Sequence, residues 1–157
     1  MKITLKDGSV KEYAEDKSIY DIAGDISQGL ARAACCAKVD GRVEDLRSVV
    51  RGDCRLEICT ADDDEGLAAI RHTTSHVLAE AVKHLFPDAK LAIGPSIDTG
   101  FYYDFDHEPF SREDLDALEA EMKKIIKNGA KLEKFTLPRE EAVRFMEERE
   151  EPYKVEL

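Results

Sequence analysis

Two of the chain's four histidines, His72 and His76, stand in the stretch RHTTSH. Four residues is close to one helical turn, so in a helix both imidazoles project from one side. Paired imidazoles near neutral pH can exchange a proton, orient a water or ligate a metal. The spacing argues against a metal. A zincin helix needs Glu directly after the first His, and Thr73 stands there. Zinc wants three or four ligands. His84 falls on another side of the same helix and His107 in a loop, so neither completes a set. No metal site is expected. What remains is two solvated histidines on a polar face, or half of a reactive site completed from elsewhere.

The element that must carry the pair is a helix from about Glu65 to Phe86, ended by Pro87-Asp88. Leu67, Ile70, Thr74, Val77, Leu78, Ala81 and Leu85 recur at helical spacing and make its apolar stripe. At ~100° per residue the histidines fall almost opposite, flanked by Ala69, Ala79 and Lys83. KLAIGPSIDTGFYYDFD follows. It reads as a short buried strand over Leu91–Ile93, a turn at Gly94-Pro95, and an alternating strand from Phe101 to Asp106. SREDLDALEAEMKKIIKNG is a second helix, with Ser111 and Asp114 as a capping box and Asn128-Gly129 as the stop. Leu115, Leu118, Met122 and Ile125 are its expected core face. KLEKFTL reads as a strand, and PREEAVRFMEER as a helix with Pro138 near its first position. The final EPYKVEL alternates like the start of a further strand, which is expected at a sheet edge or poorly held. Ending there, the chain is expected to be part of a longer protein, cut inside a domain.

Ahead of the acidic break ADDDEG (residues 61–66) lies a turn-rich unit of different character. MKITLKDGSVKEYA is a hairpin around Asp7-Gly8, and AKVDGRVEDL is another around Asp40-Gly41. Ser18 caps a short helix with Ile19, Ile22, Ala23 and Ile26 on one face. CRLEICT closes the unit, with Leu56 and Ile58 expected on opposite faces. Strand–strand–helix–strand–strand points to a ubiquitin-like β-grasp. The expected fold class is therefore α+β: a β-grasp over residues 1–61, then an incomplete α+β domain over 62–157, its long helix packed on an antiparallel sheet.

Composition narrows the function classes. Hydrophobic residues make up 43% of the chain and charged residues 36%, enough apolar content for packed cores under a charged surface. No apolar run is long enough to span a membrane, and the N-terminus lacks a signal-peptide block. Almost all of the net charge of −11 falls after residue 61, so neither half is a basic nucleic-acid platform. Cys35, Cys36, Cys54 and Cys59 form no C-x-x-C pair and are expected as reduced thiols of a cytoplasmic protein.

The stretch RHTTSHVLAEAVKHLFPDAKLAIGPSIDTGFYYDFD closely resembles the threonyl-tRNA synthetase family. There an H-x-x-x-H helix precedes an AIGP…GFYYD strand–turn–strand in the editing domain. The preceding sixty residues look like that family's TGS domain, and LEKFTLPREEAVRFMEEREEPYKVEL is similar to the editing domain's next segment. The resemblance covers essentially the whole chain. A weaker one exists to the alanyl-tRNA synthetase editing module, which lacks a β-grasp leader.

The resemblance implies a parent enzyme that ligates threonine to its tRNA with ATP, while this region hydrolyses serine attached in error. It implies His72 and His76 as the reacting pair and Lys154, of PYKVEL, as the cation for an oxyanion or phosphate. Tyr103, of GFYYD, becomes a pocket residue. Without the resemblance, Lys154 reads as a surface lysine and Tyr103 as core packing. The partner implied is the tRNA acceptor end. No cofactor is implied within this chain; ATP, Mg and Zn, with the homodimer contact, are implied for a catalytic domain outside it. A completing aspartate and a C-x-x-x-H motif are expected beyond Leu157, so the chain alone is not expected to be a competent hydrolase. Two other readings stay open: a non-catalytic module binding RNA or a partner, and the N-terminal region of a TGS-containing nucleoside kinase.

Overall fold

The computed structural model describes all residues except Lys131, Lys134 and Leu157. It divides into two compact units, Met1–Arg71 and His72–Leu157.

The first unit opens with β1 (Lys2–Leu5) and β2 (Val10–Glu12), antiparallel across a loop in which Gly8 takes φ +84°. The two-residue strand β3 (Lys17–Ser18) leads into α1 (Ile19–Ile26), where the Ser18 hydroxyl accepts from the Asp21 amide. A six-residue helix α2 (Gln28–Ala33) precedes β4 (Cys36–Val39), β5 (Arg42–Glu44), β6 (Val49–Val50) and β7 (Cys54–Cys59). The β4–β5 hairpin turns on Asp40 and Gly41, both at positive φ (+49° and +82°), as a tight two-residue loop requires. The main sheet has the order β2-β1-β7-β4-β5, and β1 runs parallel to β7. A parallel pair needs a crossover, and α1 lies within it. Ile3, Ile19, Ile22, Ala37, Val50 and Leu56 form the core, so the helix covers one sheet face. This is the expected β-grasp. The opposite-face expectation for Leu56 and Ile58 is wrong. Residues two apart on a strand share a face, and Ile58 packs against the cluster that contains Leu56.

The helix α3 spans Asp64–Leu85 and crosses the division between the units. The Thr60 amide bonds to the Asp63 carboxylate at 2.8 Å, and a Cβ at Gly66 would stand 1.8 Å from the Thr60 carbonyl oxygen. Only glycine permits that approach.

In the second unit a long hairpin runs from residue 90 to 106. Its arms are β8 (Lys90–Leu91) and β11 (Phe105–Asp106), and its tip is β9 (Ser96–Ile97) with β10 (Gly100–Phe101). Between the ladders, Ala92 N–H donates to the Asp104 carbonyl and Asp104 N–H to the Ile93 carbonyl. Then come α4 (Arg112–Asn128), α5 (Arg139–Glu147) and α6 (Pro152–Val155). The Ser111–Asp114 capping box forms in both directions, and Gly129 ends α4 at φ +61°. Ala81, Val82, Ala89, Leu118 and Ile125 make the core, joined by Val77, Leu78, Phe105, Phe110 and Met122.

Several expectations fail in this unit. Leu85 is 38% exposed and Leu115 51%, so neither is core. Ser75, Ala79 and Val82 are buried instead. The covered arc of α3 thus reaches the border of the histidine face, because the β8–β9 loop lies over it. Ile93 is 45% exposed, so Leu91–Ile93 is no buried strand. Of the strand expected over 131–137, positions 131 and 134 lie outside the described residues, and the others form no strand. The expected terminal strand is a helical turn. Pro152 at its first position has a φ suited to helix, and Lys154 N–H bonds back to the Glu151 carbonyl.

Candidate functional site

His72 and His76 meet. Their Nε2 atoms lie 3.0 Å apart and their rings pack edge to face, centroids 4.5 Å apart at 85°. A nitrogen–nitrogen contact of this kind needs one N–H and one lone pair. The neutral pair therefore holds opposite tautomers. A second proton would set N–H against N–H at this contact. Burial, then the His72 ring, then the Lys154 ammonium hold His76 below its ordinary value of 6.5. His76 is thus kept neutral, and able to accept a proton, at pH 7.

A buried hydroxyl sits behind the pair. Ser75 is fully buried, and its Oγ lies 2.8 Å from both the His72 carbonyl and the Gly94 carbonyl. Around the helix Ser75 stands only about 60° from His72 at ~100° per residue. The bond to Gly94 ties the β8–β9 loop to the histidine turn. Gly94 in turn admits Tyr103: a Cβ there would stand 2.0 Å from the tyrosine Cδ2. The Tyr103 ring stacks on Phe105 with centroids 4.8 Å apart. Burial, with the Glu151 charge second, pushes its phenol up, so the ring stays uncharged.

The Lys154 Nζ donates to the Ala92 carbonyl at 2.6 Å and stands 5.8 Å from the centre of the Tyr103 ring. An ammonium over an aromatic face is electrostatically favourable. Next to it, Glu151 is only 7% exposed. One carboxylate oxygen pairs with Lys83 Nζ at 2.9 Å, and the other accepts the Leu91 amide at 3.1 Å.

Of the four residues singled out in the sequence, the fold brings His72 against His76 and Lys154 against Tyr103, and the Lys154 charge is felt at His76. The cavity of about 510 Å³ that Lys154 lines is walled by Glu80, Lys83, His84, Leu91, Met146, Arg149 and Glu151, and by neither histidine. His84 is engaged with Glu121 at 2.9 Å, and His107 with the Glu108 carbonyl at 2.7 Å. Among the described residues no group of three His, Cys, Asp or Glu is placed to hold a metal ion. Nor does any described helix have the length and apolarity to cross a membrane. Sequence reasoning missed Ser75 and Glu151. Their partners lie 19 and 60 residues away, and no local pattern marks either one.

Residues 1–60 match the TGS domain. Over its full length the chain is 64% identical to a threonine–tRNA ligase of Acetivibrio thermocellus, of which it covers 25%. It is 62% identical to one of Clostridium botulinum and 54% identical to one of Caldanaerobacter subterraneus subsp. tengcongensis, covering 24% of each. The likeness to threonine–tRNA ligases thus runs through both units, and the chain spans about a quarter of the length of these relatives.

Proposed function

We propose that the chain is the N-terminal proofreading region of a cytoplasmic threonine–tRNA ligase, and that its second unit hydrolyses serine mischarged onto threonine tRNA. The observation that carries this is the His72–His76 ring contact, with the Lys154 charge felt at His76. The need for such a site is energetic. Serine lacks one methyl group of threonine, and a methyl discriminates by only ~1–3 kcal/mol, so a second hydrolytic check is required.

The step is hydrolysis of the ester joining the amino acid to the terminal ribose. One imidazole of the pair takes a proton as a water attacks the ester carbonyl. The tetrahedral oxyanion is stabilised by a donor in place beforehand. Lys154 suits this role: one of its three N–H bonds holds the Ala92 carbonyl and fixes the ammonium, leaving two directed elsewhere. Collapse breaks the carbon–oxygen bond to the ribose, and the imidazolium returns its proton to the leaving hydroxyl. Tyr103 serves as an uncharged wall for the ribose or side chain. The completing aspartate and C-x-x-x-H motif are assigned to sequence beyond this chain. ATP, Mg, Zn and the homodimer contact belong with the ligation domain, also beyond it.

The test is a deacylation assay on serine-charged threonine tRNA, using the longer ligase that carries this chain. His72→Ala or His76→Ala should slow serine release ~10²-fold or more, the usual loss for a proton-transfer group. Threonine charging should be nearly unchanged. Wild-type serine release in both variants would leave the pair as surface histidines.

A further inference from the structure

Lys154 rides on α6, a helix of four residues. So short a helix cannot hold itself in place, since nucleation alone is unfavourable. Its position must come from tertiary links. Among the described residues, two hydrogen-bonded side-chain links reach it besides the Lys154–Ala92 bond itself. One is exposed: Tyr153 Oη donates to the Asp106 carboxylate at 2.9 Å. The other is buried, and runs through the residue immediately before α6.

Glu151 is the one described charged residue in the buried class. Its carboxylate joins Lys83 of α3 to the amide of Leu91 in β8. Lys83 Nζ also donates to the Pro87 carbonyl at 2.9 Å and the Ala89 carbonyl at 3.1 Å. All three ammonium hydrogens are therefore committed, and the cation cannot swing away without breaking several bonds at once. The Glu151 amide bonds to the Met146 carbonyl, and its carbonyl receives the Lys154 amide. Glu150, at φ +55°, turns the chain sharply into this arrangement. Burying the carboxylate of an ion pair is a poor way to gain stability, because an apolar pair of the same volume usually does as well or better. What a fully bonded pair supplies is a fixed position.

We propose that the Lys83–Glu151 pair is a positioning device for Lys154, pinning the start of α6 to α3 and β8 so that the ammonium stays on the Ala92 carbonyl. Neither Lys83 nor Glu151 needs to touch substrate. The purpose of the device rests on the hydrolytic reading of Lys154, whereas its geometry and its test do not.

The test is an NMR titration of His76 in the 157-residue chain, comparing wild type with K154M, E151Q and Y153F. K154M removes a nearby cation, so the His76 pKa should rise. If Glu151 fixes Lys154, E151Q should raise it by at least half as much, and by more than Y153F does. The direct effect of deleting a negative charge has the opposite sign, so a rise in E151Q reports displacement of Lys154. An unchanged or lowered value in E151Q alongside a rise in K154M would overturn the proposal. So would a K154M titration identical to wild type. Should E151Q not fold, the K83M/E151Q double variant, which leaves no lone buried ion, decides by the same criterion. A rise in E151Q together with absent serine hydrolysis in the longer ligase would sink the hydrolytic reading and leave the positioning role standing.

Discussion

In the first unit the central strands pair over three or four residues and the core is a closed apolar cluster of six side chains. In the second, each ladder is two residues long. There the connections that place chemistry are polar and far apart in sequence: Ser75 to Gly94, Lys83 to Glu151, Lys154 to Ala92, Tyr153 to Asp106. The thiols of the first unit show the same contrast from the other side. Burial, with Cys59 close by, pushes Cys36 up to about 12, so it packs as a small apolar group and stays a neutral thiol at neutral pH. A redundant apolar core tolerates change outside it and fails when its centre is emptied. A polar scaffold with one bond at each joint fails locally, and takes a functional group with it.

The sharpest break of this contrast is Leu56→Ala. Leu56 is fully buried in the first core. Its truncation should cost ~2–5 kcal/mol, read as a large drop in the urea midpoint of the first unit. A loss under about 0.5 kcal/mol, the range typical of surface sites, would mean the β-grasp core is not where its stability lies.

Gly94→Ala comes next. The new methyl must displace the Tyr103 ring, and such overpacking costs ~1–3 kcal/mol. The same variant should shift the Tyr103 and Phe105 ring resonances as their stacking is lost, while the first unit stays unchanged. Unchanged ring resonances would show that the loop moves freely and that Gly94 does not set the position of Tyr103.

The smallest effect is a pH dependence. The folded state holds His76 below its ordinary 6.5. Its contribution to stability is therefore present above about pH 6.5 and is lost as pH falls through the lower folded value. His76→Gln should lose less stability than wild type between pH 7 and pH 5 in thermal melts. Parallel curves would place His76 in an environment like that of the unfolded chain.

The parts of the fold legible in the sequence are those fixed by neighbours in the chain. Asp40-Gly41 announced a tight hairpin, and both residues are left-handed. Ser111, Asp114 and Gly129 announced the limits of α4, and each does so by a local hydrogen bond or a positive φ. The His72–His76 contact was legible because one helical turn creates it. Residues 152–155 fit either period, being only four, and Pro152 carries the decisive information. Ser75 and Glu151 were illegible for another reason. Nothing near them in the chain distinguishes a buried serine or a buried glutamate from exposed ones; only partners delivered by the hairpin and α6 do.

The most direct measurement is the rate of serine release from serine-charged threonine tRNA by the longer ligase, followed from pH 5 to pH 8 for wild type and for His76→Ala. With neutral His76 as proton acceptor, the wild-type rate should fall on the acid side with a half-point below 6.5. The variant should be ~10²-fold slower and should lose that acid limb. A variant with the same rate and the same pH profile as wild type would contradict the assignment of His72 and His76 as the reacting pair.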